Sequence, residues 1–380
     1  MERCGFSGRE KTEAIASVWE HKGMDGKEST PSGVWRILDA SLNRASEGLR
    51  TIEEYARFVL GDPQLSEQLK QLRHQTATAA EGMPRLQLLA ARDTPGDVGT
   101  AIETPTETER VDALAVAIAA AARVQQSLRC LEEYGKIVDS GIGRAFEACR
   151  YRSYTLFATL EQLSQRRDRL ADCQLYVLVD GGDSIEAMTV TIAELAEAGA
   201  DLIQLRDKRL NDRELYEHAA AAAATLRPSR CLFIVNDRPD IAAAVHADGV
   251  HVGQDELPAT VVRQIIGPER LLGVSTHCVA QVEQAVSDGA DYIGCGPTFP
   301  SGTKSFEAFP GTDFLRDAAA TTTLPAFAIG GIGAENLAYV IEAGFSRVAV
   351  AGAITRSESP AAMVTELKQR LLRQDESTNR

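Results

Sequence analysis

The chain has no apolar run near the roughly 20 residues that a bilayer-spanning helix requires. Its alanine-rich tracts, Ala115–Ala122 and Ala219–Ala224, are too short and too weakly hydrophobic to serve. It has no excess of basic charge. Fifty-four acidic against forty basic residues give a net charge of −14, which argues against nucleic acid or an anionic membrane as partner, since each needs a basic face. Paired cysteines are also missing: Cys4, Cys130, Cys149, Cys173, Cys231, Cys278 and Cys295 form no CxxC or CxxH spacing. An odd, scattered set favours reduced thiols over a disulfide framework or a zinc site. Met1–Lys27 has no secretory apolar core, so a cytoplasmic protein is expected.

What is present is a soluble chain of 380 residues, 44% hydrophobic and 25% charged, long enough for about two domains. Residues 1–32 lack periodicity and read as a mobile tail. Residues 33–172 read as a helical bundle, with helices over Trp35–Leu60, Pro63–Gly82, Val111–Val138 and Ile142–Arg166 broken by Gly, Pro and Asp. No strand-like alternation interrupts them. Residues 173–374 change character, and 375–380 form a polar tail.

In that second half, short apolar runs alternate with helix-patterned segments. The runs are Leu175–Asp180, Leu202–Arg206, Cys231–Asp237, Gly249–Gly253, Leu271–Thr276, Tyr292–Gly296, Pro325–Gly331 and Arg347–Ala353. Eight runs separated by segments such as Ser184–Ala198, Asp212–Thr225 and Leu257–Ile266 predict an α/β fold, a (β/α)8 TIM barrel behind an all-α bundle. Chemistry in such a barrel sits on the loops after the strands.

Those loops hold the unusual polar residues. Gln204-Leu205-Arg206-Asp207-Lys208 ends the second strand with two cations on one side of an extended chain, a pairing suited to an oligophosphate. The third strand ends in Asn236-Asp237-Arg238-Pro239-Asp240, and the fourth leads into Gln254-Asp255-Glu256. Adjacent loops can face Asp237 towards Asp255 or Glu256, a pair suited to Mg2+ shared with substrate phosphates. The alternative is that Asp237 and Asp240 cap the next helix. Ser275 and His277 follow the fifth strand. His251 and His277 are as well explained by packing as by substrate contact. A long loop through Ser301, Gly302, Thr303 and Lys304 follows the sixth. Strands seven and eight end at Gly331 and at Ala351-Gly352, where backbone amides of two helix starts are expected to hold a monophosphate. A side chain at 331 is expected mainly to block that phosphate. Two phosphorylated substrates are implied.

The bundle contains a repeat. Arg44, Leu49, Arg50, Glu53, Glu54 and Tyr55 recur in order as Arg123, Leu128, Arg129, Glu132, Glu133 and Tyr134. Arg50 can meet Glu53 three residues on, and two such helices packed antiparallel would bring two Arg/Glu sets near each other. Arg92–Gly99 with Arg44, Arg50, Arg123 and Arg129 is the candidate polar site there. Ordinary surface ion pairs and loop caps are the competing explanation.

In order, QLRDK, NDRPD, GVHVGQDE, GVSTH, GPTFPSGTK and AIGGI resemble the thiamine phosphate synthases over about Cys173 to Leu372. The resemblance implies condensation of a hydroxymethylpyrimidine diphosphate with a thiazole phosphate, releasing pyrophosphate. By position it implies that Gln204, Leu205, Arg206, Asp207, Lys208, Asn236, Ser275 and Lys304 hold the pyrimidine diphosphate. Ser301, Gly302, Thr303, Gly331, Ala351 and Gly352 would hold the thiazole phosphate. Arg206, Lys208, Ser275 and Lys304 would act in catalysis, and Asp237 and Glu256 would ligate Mg2+. The family often reads GQED where this chain reads GQDE, so the choice between Asp255 and Glu256 stays open. A thiazole tautomerase is the alternative barrel enzyme, disfavoured by the acidic pair and QLRDK. The NRASEGLRTIEEYARF segment is similar to a domain fused ahead of some bacterial synthases and resembling a non-ribokinase hydroxymethylpyrimidine phosphate kinase. That implies ATP as a further substrate, with Arg44, Arg50, Glu53, Arg123, Arg129 and Glu132 as candidates. Residues 1–172 carry no P-loop and no kinase Gly-rich loop, and a structural or partner-binding module is the alternative. The oligomeric state, a homo-oligomer included, is not fixed by these motifs.

Overall fold

The computed structural model describes residues 30–97, 110–300 and 310–378. The N-terminal part is helical. Helix α1 (Ser32–Glu54) ends in a π-helical turn, Tyr55–Val59. It is followed by α2 (Pro63–Ala80), a short α3 (Arg85–Ala91), α4 (Ala113–Val138) and α5 (Ser140–Leu170). The breaks fall where the sequence places capping acids. The side chains of Asp62, Asp112 and Asp139 accept the amides of Leu65, Ala115 and Gly141, which starts α2, α4 and α5. Helix α1 begins inside the stretch expected to be a tail, and α3 was not foreseen.

The second part alternates strands and helices: β1 (Leu175–Val179), α6 (Ile185–Glu197), β2 (Leu202–Leu205), α7 (Asp212–Leu226), β3 (Leu232–Asn236), α8 (Pro239–Ala244), β4 (Gly249–Val252), α9 (Ala259–Ile266), β5 (Leu271–Thr276), α10 (Val279–Ser287), β6 (Tyr292–Cys295), α11 (Gly311–Thr321), β7 (Ala326–Ile329), α12 (Leu337–Glu342), β8 (Val348–Val350), α13 (Gly352–Thr355) and α14 (Pro360–Thr378). The strands are parallel and close in chain order, with β1 pairing β8 at Leu175↔Val348. Alternation along each strand separates two cores. Val177, Ile203, Phe233, Val250 and Leu272 pack outward under the helices. Tyr176, Leu202, Ile234, Leu271, Tyr292 and Phe327 fill the barrel interior.

Leu170 and Cys173 belong to that interior cluster, so the last turn of α5 closes the barrel at the N-terminal ends of its strands. Polar anchors fix it there. Arg166 Nε donates to Asp291 Oδ1 at 2.7 Å, Arg169 pairs with Asp248, and Arg347 donates to the carbonyls of Leu170, Ala171 and Cys173. Asp248 and Asp291 also accept the amides of Phe233 and Leu272. With the lower end plugged, the barrel opens only at the C-terminal ends of its strands. Among the described residues no helix is long and apolar enough to cross a membrane, and six cysteines are free thiols.

Candidate active site

A cavity of about 470 Å³ lies at that mouth. Of the residues singled out from sequence, Gln204, Arg206, Asn236, Ser275, Gly331, Ala351 and Gly352 line it. Strand alternation explains the pattern after β2. Gln204 points inward, and its Nε2 donates to the hydroxyl of Tyr176 at 2.5 Å, which in turn meets Tyr292 Oη at 3.2 Å. Leu205 points outward into the core beneath the helices, so only its backbone could serve a ligand. Asp207 is nearly buried and turned away from the cavity. Its carboxylate takes Arg209 Nη2 at 2.6 Å and the Gly181 amide at 3.1 Å, and the Arg209 hydrogen bond holds it well below the usual carboxylate range. Asp207 thus fixes the loop rather than facing a substrate.

Asp237 and Glu256 converge at the rim. Lys208 Nζ lies 3.5 Å from Asp237 Oδ2 and 3.7 Å from Glu256 Oε1. Asp255 is exposed and makes no ion pair among the described residues. Asp237 sits at φ 61°, an uncommon conformation for a residue with a side chain, and its amide donates to the His251 carbonyl. Neither Asp237 nor Asp240 caps α8, which has no side-chain cap; Asp240 instead makes a two-point pair with Arg238. Two hard-oxygen side chains gathered on one cation are a donor set that fits Mg2+ completed by phosphate oxygens and water.

Both strand-end histidines line the cavity. His251 Nε2 is 2.9 Å from Ser275 Oγ, and its Nδ1 is buried with no hydrogen-bond partner. Burial pushes its pKa down to about 4, so the ring is neutral at physiological pH. His277 Nδ1 lies 2.5 Å from the Gly296 carbonyl oxygen. Tyr176, Glu335 and Arg356 also line the cavity and were missed. Tyr176 reads as one more apolar strand residue, while Glu335 and Arg356 lie beyond the strand ends, with no motif to mark them.

The loop after β6 folds onto the end of β7: Thr298 N donates to Ile329 O and Phe299 N to Gly330 O. Ser301, Gly302, Thr303 and Lys304 lie outside the described residues. Gly331 adopts φ 64°, and a Cβ there would come within 2.7 Å of Pro300 O and 2.8 Å of Phe299 O. A larger residue at 331 would therefore displace this loop as well as obstruct a phosphate. The two loops also differ from expectation. Gly352 begins the single turn α13, but α12 starts at Leu337, well beyond Gly331, so only one of the two glycines stands at a helix start.

In the bundle each repeat builds its own network. Buried Glu53 takes Arg50 at 3.5 Å and Arg73 at 2.8 Å, while buried Glu132 takes Arg129 at 3.2 Å and Arg150 at 2.6 Å. Arg73 and Arg150 extend the duplication: Leu65, Leu69, Leu72 and Thr76 of α2 are buried in the same register as Ile142, Phe146, Cys149 and Ser153 of α5. That second pair was missed because the spacing between matched helices shortens by two residues. Gly48 of α1 packs against Ala120 and Val124 of α4. In this antiparallel arrangement Glu53 and Glu132 lie on opposite sides of that contact, about four turns, or roughly 20 Å, apart along the helix axis. Arg50 and Arg129 thus stay with their own glutamates. Arg44 and Arg123 are exposed and make no ion pair among the described residues. Arg92 holds buried Asp39 through two 2.8 Å hydrogen bonds, and Gly99, at the end of that loop, is outside the described residues.

Comparison with known proteins divides the chain in the same way. Residues 175–354 match the family model described as thiamine monophosphate synthase, and residues 36–159 match the ThiD2 family. A protein named thiamine-phosphate synthase from Rhodopirellula baltica is 50% identical over 84% of this chain and 88% of its own length. Another of that name, from Synechocystis, is 40% identical over 91% of this chain and 99% of its own. A solved structure titled thiamine phosphate pyrophosphorylase, from Pyrococcus furiosus, is 32% identical, covering 55% of this chain and 98% of that one with a TM-score of 0.49.

Proposed function

Since the chain belongs to the thiamine-phosphate synthase family, we propose that its barrel mouth joins a hydroxymethylpyrimidine diphosphate to a thiazole phosphate with release of pyrophosphate. The chain is a transferase of thiamine biosynthesis, and the tautomerase alternative falls away. The observation that carries the site assignment is the meeting of Asp237 and Glu256 at Lys208, beside a cavity lined by Arg206, Asn236 and Ser275.

Asp237 and Glu256 would hold Mg2+, which when bound supplies positive charge to the diphosphate. The chain's own residues do the rest. Arg206 forks two phosphate oxygens, and Lys208, freed from the carboxylates, adds a point charge where the leaving group develops negative charge, joined by Lys304. Gln204 and Asn236 hold the pyrimidine diphosphate, with its polar groups facing the cavity. Ser275 receives a hydrogen bond from His251 Nε2–H, because a neutral ring with a partnerless Nδ1 is better left with a bare lone pair than a buried N–H. The serine proton is then free for a substrate oxygen. Loss of pyrophosphate leaves an electrophilic methylene for the thiazole nitrogen, whose phosphate is held by Ser301, Gly302, Thr303, Gly331, Ala351 and Gly352. Incubation with both substrates and Mg2+ tests this reading. Pyrophosphate and thiamine phosphate should appear together, and product formation without Mg2+ would remove the metal from the account.

For the bundle, the match to the ThiD2 family favours a second reading, phosphorylation of the pyrimidine monophosphate by ATP. Because Arg50 and Arg129 are engaged with buried glutamates, Arg44 and Arg123 are the cations left for a ligand. The whole chain given ATP, Mg2+ and hydroxymethylpyrimidine phosphate, without thiazole phosphate, should release ADP. Absence of ADP would favour a structural module.

A further inference from the structure

We propose that Arg356, which belongs to none of the barrel motifs, binds the phosphate of the thiazole substrate and makes the enzyme select the phosphorylated thiazole over its free alcohol. Two arginines line the cavity, Arg206 after β2 and Arg356 just after α13. Among the described residues neither side chain forms an ion pair or a hydrogen bond. Other arginines at the same end of the barrel are compensated: Arg209 by Asp180 and Asp207, Arg238 by Asp212 and Asp240. Two guanidinium groups with no ion-pair partner among the described residues thus face one cavity, and two anionic substrates enter it. Arg206 is already assigned to the diphosphate.

The placement of Arg356 depends on Gly352. A Cβ at 352 would stand 2.3 Å from Nη2, 2.5 Å from Cζ and 2.6 Å from Nη1 of Arg356, so the guanidinium lies over the bare Cα of Gly352 and a side chain there would push it aside. Exposed at the cavity mouth, its planar fork can take two oxygens of one phosphate. Glu335 is a carboxylate on the same cavity wall, so a phosphate between Gly331 and Gly352 needs the positive charge that Arg356 brings to it. An uncharged alcohol gains nothing from this arrangement. The inference rests on assigning the thiazole phosphate to Ala351 and Gly352.

The test is steady-state kinetics of the full chain with Arg356→Ala, Arg356→Lys and Ala351→Asp, varying thiazole phosphate, thiazole alcohol and pyrimidine diphosphate in turn. Arg356→Ala should raise KM for thiazole phosphate by about tenfold or more, the worth of one charge-assisted contact. It should leave kcat/KM for the alcohol and KM for the diphosphate within about twofold, and Arg356→Lys should recover part of the loss. Equal losses with phosphate and alcohol would mean that Arg356 only shapes the loop, and a rise confined to the diphosphate would put it at the other site; either overturns the proposal. If Ala351→Asp weakens thiazole phosphate while Arg356→Ala does not, the subsite stands and Arg356 has no part in it. If Ala351→Asp weakens only the diphosphate, the subsite assignment fails and the role of Arg356 with it.

Discussion

Asp237 and Glu256, on loops after neighbouring strands, approach the same ammonium: Lys208 Nζ is 3.5 Å from one carboxylate and 3.7 Å from the other. Glu256 occupies the position of the second acid in GQED, with a side chain one methylene longer than aspartate, and Asp255 makes no ion pair among the described residues. Glu256→Ala and Asp237→Ala should therefore each lower turnover about a hundredfold or more, with partial recovery at high Mg2+. Asp255→Ala should stay within about threefold of the parent chain. Pyrophosphate release against Mg2+ concentration measures all three, and the reverse pattern at 255 and 256 would move the ligand by one position.

Gly331 makes a less simple probe than its place beside a phosphate suggests. Its φ of 64° and the nearness of Phe299 O and Pro300 O mean that Gly331→Val strains the backbone and displaces the β6 loop, which leads to Lys304. The substitution should raise KM for both substrates. Selective loss of thiazole phosphate alone would show that the loop tolerates the side chain.

The bundle and the barrel share a seam. Asp291 is fully buried and held by Arg166 and Arg263, so Arg166→Ala leaves a buried carboxylate short of a partner and should cost about 3–5 kcal/mol. Leu170 fills the floor of the barrel, and Leu170→Ala should cost about 2–5 kcal/mol. A barrel beginning at Cys173 lacks both and should unfold at lower urea than one that keeps the last turns of α5. Equal midpoints for the two pieces would show that the seam does not stabilise the barrel.

Acid should loosen the bundle first at Glu132. Burial raises its pKa, but hydrogen bonds from Arg150 and Lys136 outweigh that and leave it below the ordinary value of 4.5. A carboxylate depressed in the folded state stabilises fully above its unfolded pKa and loses that contribution as pH falls through the folded one. Trp35 sits in the bundle core and the barrel has no tryptophan, so in a Trp19→Phe background its fluorescence reports the bundle alone. Between about pH 5 and 3 the parent chain should lose stability faster than Glu132→Gln. Parallel curves would assign the acid sensitivity elsewhere.

The barrel was legible because each strand is a short apolar run closed by polar residues, and eight such runs in series allow few other folds. The bundle helices were legible from their capping acids and breaks. Some residues were assigned to the site as parts of motifs, yet a motif does not say which way a side chain turns. Leu205 follows strand alternation outward, and Asp207 is drawn aside by Arg209 two residues on. Arg356 and Glu335 reach the cavity only through the path of their loops, which leaves no periodic trace. The doubled Arg/Glu motif was visible, but its partners Arg73 and Arg150 come from other helices, and packing alone reveals that each glutamate is a buried clasp.

The most direct test follows pyrophosphate and thiamine phosphate together, with the purified full chain, Mg2+ and both phosphorylated substrates, beside Asp237→Ala and Arg50→Ala. The account predicts equimolar products from the parent chain, near-complete loss in Asp237→Ala, and an undiminished condensation rate in Arg50→Ala, whose network lies in the bundle. Full activity in Asp237→Ala, or a condensation rate that falls with Arg50→Ala while the chain remains folded, would contradict the placement of the reaction at the barrel mouth.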